Sequence, residues 1–296
     1  MKKRIISLAL CFVLLIVAFP LDARADTGPK PSVRIVFENM GSDLCYGTLL
    51  SKTSSTGPAS AWDGESEYYH WGYGEEGEPI WQAFLNYKDP DGYYFLQEWW
   101  ECSENGELNW TYYPPQSFKI LLYYPATNTY AVSDIYERYA FDSYYTADLC
   151  DVNVFDSDTV QHISVRESYN SKWESVSLVC RIAITILVEL AIALLFKLRE
   201  KKLIALIAGV NVVTQVVLNV LLNAVNYGSG PYVFIFWYFI LELLVFVIEA
   251  VIYCLLCSKA AGRRVSKPRA VVYAFTANAV SFVVGLAIAM LVPGIF

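Results

Sequence analysis

The sequence predicts two fold classes in one chain: a β-sandwich, immunoglobulin-like or transthyretin-like, followed by an all-α bundle of four transmembrane helices. Three observations carry that reading. Apolar residues make up 55% of the chain, with a mean hydropathy of +0.36, and collect at residues 5–19 and beyond residue 175. Acidic residues collect between them. From Asp26 to Trp173 there are 23 Asp and Glu against 8 Lys and Arg, a net of −15 inside an overall net of −7. The same acidic stretch holds 17 of the 22 Tyr. Such asymmetry points to two regions in two environments.

The N-terminus reads as a secretory signal, residues 1–25. Lys2, Lys3 and Arg4 precede the apolar run Ile5–Phe19, which is short for a membrane span. Ala23-Arg24-Ala25 fits a small-x-small cleavage site and leaves Asp26 as the mature start. The exported domain is then 26–170.

That domain reads as short strands: Ser32–Glu38, Leu44–Leu50, Ile80–Tyr87, Tyr93–Trp99, Leu108–Tyr113, Phe118–Tyr124 and Tyr144–Leu149. Each is rich in aromatic or β-branched residues, and the breaks carry turn chemistry, such as Asp89-Pro90-Asp91-Gly92 and Glu104-Asn105-Gly106. The polar segment Thr53–Pro79 reads as one long loop. Aromatic doublets recur, and neighbours in a strand point to opposite faces. One ring of each pair is therefore expected outside, where Trp71, Trp99, Trp100, Tyr112 and Tyr113 are candidates for a platform that binds glycan or peptide. Asp89, Asp91 and the run Asp148, Asp151, Asn153, Asp156 and Asp158 are candidate Ca²⁺ ligands, although neither group has the spacing of an EF-hand loop. Cys45, Cys102 and Cys150 allow one disulfide with a free thiol, or none.

The membrane region, 175–296, holds four apolar runs near Val176–Phe196, Leu203–Ala224, Tyr232–Cys257 and Val271–Val292. Each is long enough to cross about 30 Å of hydrocarbon. Basic residues fill the first and third connections, Lys197–Lys202 and Lys259–Arg269, while Asn226–Pro231 has no Lys or Arg. The positive-inside rule places both basic connections in the cytoplasm, and the exported domain and C-terminus outside. Cys254 and Cys257 form a C-x-x-C in apolar surroundings with no second pair, which reads as packing rather than a metal site.

Polar residues recur at depth. Glu189, Glu242 and Glu249 lie in the first and third runs, and Asn211, Gln215, Asn219 and Asn223 recur every fourth residue in the second. Asn278 and Ser281 lie in the fourth. Counting from the helix ends sets Glu189, Gln215, Glu242 and Ser281 at one depth, with Glu249 about 10 Å nearer the cytoplasm. A carboxylate at mid-bilayer costs at least about 2.5–3.5 kcal/mol, so these acids are expected to face the bundle interior. Glu189, Asn211, Gln215, Asn219, Glu242, Glu249 and Asn278 therefore form a candidate intramembrane site for a proton, a cation or a cationic ligand. The same residues also serve as interhelical glue.

No catalytic set is visible. The two His are His70 and His162, and no H-E-x-x-H, G-x-S-x-G or P-loop occurs. No cofactor motif is present, and the acidic charge argues against nucleic acid. The stretches Asp26–Ser32 and Tyr136–Tyr145, the run Asn211-Val212-Val213-Thr214-Gln215, and Glu242 with Glu249 resemble an uncharacterised family of bacterial membrane proteins. The resemblance implies a signal peptide, an extracellular β-domain and a four-helix C-terminal membrane module, and no activity. The expected function is a cell-envelope protein that binds or senses an extracellular ligand through its exported domain. The alternative is a small transporter or channel lined by the buried acids and amides.

Overall fold

The computed structural model describes residues 30–53 and 77–291. The expected signal segment, most of the expected long loop with His70 and Trp71, and residues 292–296 lie outside this range.

Ten strands form the N-terminal region: β1 Ser32–Glu38, β2 Tyr46–Ser51, β3 Tyr94–Phe95, β4 Trp100–Glu101, β5 Glu107–Trp110, β6 Ser117–Tyr124, β7 Thr129–Ser133, β8 Tyr136–Glu137, β9 Asp142–Asp148 and β10 Gln161–Glu167. They make one mixed sheet curled into a half-barrel, in the order β3-β2-β6-β7-β10-β9-β1-β5, with β4 on β2 and β8 on β6. This corrects the expected sandwich of two packed sheets. β1 runs parallel to β9, and β7 to β10. These pairings join what would be separate sheets, and strand alternation alone does not reveal which partner a strand takes.

A second correction concerns Ile80–Tyr87. Glu78–Asn86 is a helix, α1, started by Pro79 in its first turn. Its buried residues are Ile80, Trp81, Ala83 and Phe84, a helical spacing rather than a strand alternation. The helix explains why both faces of the sheet are apolar. Phe118, Ile120, Leu122 and Tyr124 of β6 enter one core with Val33, Ile35, Leu108 and Trp110. Leu121 and Tyr123, on the opposite face, enter a second core with Trp81, Phe84, Phe95 and Trp99. Aromatic neighbours do split between faces, but α1 covers the second face.

Four long helices follow: α2 Ser171–Leu195, α3 Lys201–Ser229, α4 Pro231–Ala261 and α5 Lys267–Leu291. α2, α3 and α4 are long and apolar enough to cross a membrane. Exposed Leu187, Leu195, Val213, Phe239 and Leu255 cover their outer surfaces, which suits a lipid environment. The two basic connections meet at one end of the bundle. There Arg263 Nε donates to Glu200 at 2.5 Å and to the Lys197 carbonyl through Nη2 at 3.0 Å, and Arg269 donates to the Phe196 carbonyl. The β-domain docks at the opposite end. Phe141 N–H donates to the Tyr227 carbonyl at 2.8 Å, and the rings of Tyr139, Tyr169 and Tyr227 gather around that bond.

Candidate functional site

The polar residues of the bundle sort into three levels. The level nearest the basic end is a sealed cluster. Glu189, Asn211 and Glu249 are each 0% exposed. Asn211 Nδ2 donates to Glu189 Oε2 at 2.7 Å, to the Tyr253 hydroxyl at 3.2 Å and to the Ile207 carbonyl one turn back at 3.2 Å. Glu249 accepts from Thr214 at 2.8 Å and from Asn278 Nδ2 at 2.8 Å. Asn278 Nδ2 also donates to the Ala274 carbonyl at 3.0 Å. Every bond received by these two carboxylates comes from a neutral group. Below them Leu198, Leu203, Ile207, Tyr253, Cys257, Tyr273 and Ala274 pack into a continuous apolar core that separates the acids from the basic loops.

The middle level is a cavity of about 290 Å³, lined by Arg181, Gln215, Asn219, Tyr238, Glu242 and Ser281, with Phe234 and Phe239 among its apolar walls. The upper level is a larger cavity of about 610 Å³ where the β-domain meets the helices. Tyr144, Ser168 and Tyr169 line it from the β-domain side, and Glu174, Asn223 and Asn226 from the helices. Arg181, Asn219, Phe234 and Ile235 line both cavities, so the two adjoin. At the upper rim Tyr169 donates to Glu174 at 2.5 Å. Burial first, and then that carboxylate, push the Tyr169 hydroxyl above its ordinary range.

The geometry of α3 explains why the amides divide. Four residues turn a helix about 40° past one full turn and raise it about 6 Å. Asn211 therefore faces Glu189, Gln215 and Asn219 face the middle cavity, and Asn223 reaches the upper one. Asn219 Nδ2 holds the Gln215 carbonyl at 2.8 Å. The structure also revises the depths. Gln215, Glu242 and Ser281 share one level, while Glu189 sits lower with Glu249, because α2 ends only six residues beyond it at Leu195. Thr214, Tyr253 and Tyr273 complete the lower cluster, although no sequence argument singled them out as site residues. Tyr253 lies four residues beyond Glu249, a spacing that places both on one helix face.

Of the aromatic platform candidates, Trp99, Trp100, Tyr112 and Tyr113 lie among the described residues and Trp71 does not. Trp99 is 4% exposed in the core under α1, and Trp100 packs against buried Trp110 with centroids 5.0 Å apart. Tyr112 and Tyr113 make an edge contact with each other. The acidic turn Asp89-Pro90-Asp91 already holds a cation: Lys119 Nζ lies 2.8 Å from Asp89 and 2.5 Å from Asp91. Asp148, Asn153 and Asp156 accept from nearby backbone N–H groups. Among the described residues no three His, Cys, Asp or Glu side chains form a metal-binding group.

No family model, curated protein or solved structure matches the chain.

Proposed function

We propose that this is a cell-envelope receptor of the membrane, with the β-domain outside and the basic loops in the cytoplasm, that takes a small peptide-like ligand into the bundle. The meeting of both basic connections at one end and the docking of the β-domain at the other support that orientation. α5 completes the bundle as the fourth span.

One observation carries the ligand reading. Two adjoining cavities lead from beneath the β-domain to Glu242 and stop above the sealed polar cluster and the apolar core beneath it. A blind pocket suits binding rather than passage. Its lower part carries a guanidinium, a carboxylate, amides and aromatic walls, which is the chemistry of a site for an ammonium at one end and a carboxylate at the other. A free amino acid or dipeptide has both groups and fits about 290 Å³. Phe141 and Tyr227 then connect ligand occupancy at the rim to the β-domain.

The test is thermal shift of the full-length protein in lipid nanodiscs with L-amino acids and dipeptides, alongside N-acetylated and C-amidated forms. The expected result is stabilisation that needs both free termini and is lost in Glu242→Gln. Equal responses to capped and free ligands would sink the reading. The polar groups continuing below Glu242 favour a second reading, a transporter caught open to the outside. Uptake of the stabilising dipeptide into proteoliposomes would establish it.

A further inference from the structure

We infer that the sealed lower cluster binds one desolvated monovalent alkali-metal cation among Glu189, Asn211, Glu249 and Asn278. The inference rests on the membrane-bundle reading but not on any ligand entering the cavity above.

The argument is a balance of donors and acceptors. Glu189 Oε1, Asn211 Oδ1 and Asn278 Oδ1 are all buried and receive no hydrogen bond. All three are acceptors, and they belong to side chains at most 6% exposed. The amide orientations are set by the bonds their nitrogens donate. Asn211 shares the two hydrogens of its Nδ2 among Glu189, Tyr253 and Ile207, and Asn278 spends its own on Glu249 and Ala274. Turning either amide over would break those bonds to satisfy one oxygen. Leaving buried oxygens unmatched forfeits their hydration with nothing in return, so something positive completes the set.

A proton on Glu189 is the smallest candidate, but it makes Oε1 a donor to one amide oxygen alone, and the other amide oxygen then needs a second proton on Glu249. A cation can accept all three oxygens together and also offsets the charge of carboxylates that have only neutral partners. The donor chemistry selects its type. Only oxygen is offered, with no Cys or His ligand, which excludes a soft metal. Mg²⁺ keeps several waters, and Ca²⁺ takes six to eight oxygens. A dry site with three open oxygens, two of them from neutral amides, suits a singly charged ion. The apolar core closes the site on the basic side, and Glu242 lies seven residues from Glu249, about 10 Å away along α4. The ion therefore sits beneath the ligand cavity as a fixed charge in its floor.

The test uses full-length protein in nanodiscs, melted in NaCl, KCl or choline chloride at constant ionic strength. One alkali cation is expected to raise the melting temperature by about 3 °C or more over choline, saturably, with about one ²²Na⁺ or ⁸⁶Rb⁺ bound per chain. Glu189→Gln removes the shift. Asn278→Ser, a smaller change at a second ligand, weakens it and serves if Glu189→Gln folds poorly. Identical melting in all three salts overturns the inference, as does stabilisation that follows pH alone or Ca²⁺ alone. These outcomes are read without any dipeptide, so failure here is separate from failure of the receptor reading.

Discussion

Phe141 and Tyr227 tie the two halves of the molecule together: the Phe141 N–H donates to the Tyr227 carbonyl at 2.8 Å, while the Phe141 carbonyl accepts from Ser32 N–H at 3.0 Å. One residue thus bridges β1 of the sheet and the last turn of α3. The chain then turns at Gly230, with φ +80° and ψ −179°, a region that essentially only glycine occupies.

A Cβ at Gly230 would lie 2.5 Å from the Phe141 ring. Gly230→Ala is therefore expected to cost about 2 kcal/mol and to loosen the seam. Hydrogen exchange at Phe141 should accelerate, while amides in β6 stay protected. Phe141→Ala in the same background relieves the clash and leaves only the backbone cost. Unchanged exchange at Phe141 would mean that the seam does not depend on this turn.

The lower cluster predicts an unequal pair of amide substitutions. Asn211→Leu removes the described donor to Glu189 and is expected to cost about 2 kcal/mol. Asn219→Leu removes bonds to Gln215 within one helix and is expected to cost nearer 0.6 kcal/mol. Unfolding of the two variants in mixed micelles measures the difference, and equal costs would contradict the separation of levels.

Lys119 gives the β-domain a defined pH dependence. Its side chain is 5% exposed and that of Asp89 is 0% exposed. Lys119→Met strands the Asp89 charge and should cost about 3 kcal/mol. The bond from Lys119 holds Asp91 below its ordinary 3.8. Burial works to lower Lys119, but Asp89 and Asp91 outweigh it and raise it above 10.5. A lowered acid stabilises above its unfolded value and loses that contribution as pH falls through the folded one. A raised base stabilises below its unfolded value and loses that contribution as pH rises through the folded one. The stability difference between wild type and Lys119→Met should therefore hold level between those limits and shrink below pH 3.8 and above pH 10.5. A difference that grows on acidification would contradict the pairing.

Cys45 and Cys102 predict a thiol pattern. They continue the β2–β4 register one step beyond Tyr46 and Glu101, with Cys102 N–H donating to the Cys45 carbonyl at 2.9 Å. Both are 0% exposed free thiols. Burial pushes Cys45 up to about 12 and Cys102 well above its ordinary value, so both should resist maleimide in the folded protein while exposed Cys150 reacts. During refolding, while both thiols are accessible, diamide, which takes up two hydrogens, should close Cys45 to Cys102, and Cys102→Ser should block that closure. Peptide mapping that finds Cys150 in the bridge would refute the register.

The sequence by itself determined where the long apolar helices lie, because a run of about 20 apolar residues has few other uses. It determined the β-rich character of the acidic half through turn residues and aromatic strands. It also marked Glu189, Asn211 and Glu249 as unusual, because polar groups in apolar runs carry a desolvation cost that burial among helices relieves. Only the tertiary structure decided the rest. Strand alternation records which face a residue uses but not which strand lies beside it, so the parallel pairings of β1 with β9 and β7 with β10 were invisible. α1 read as a strand because Ile80, Trp81 and Phe84 are good strand residues, and its helical form comes from covering the second face of the sheet. Depth counted from helix ends placed Glu189 beside Gln215, whereas the packing of four helices set it beside Asn211. The division of the polar residues into a sealed cluster and two cavities depends on distances between helices that are far apart in sequence, and no local pattern encodes them.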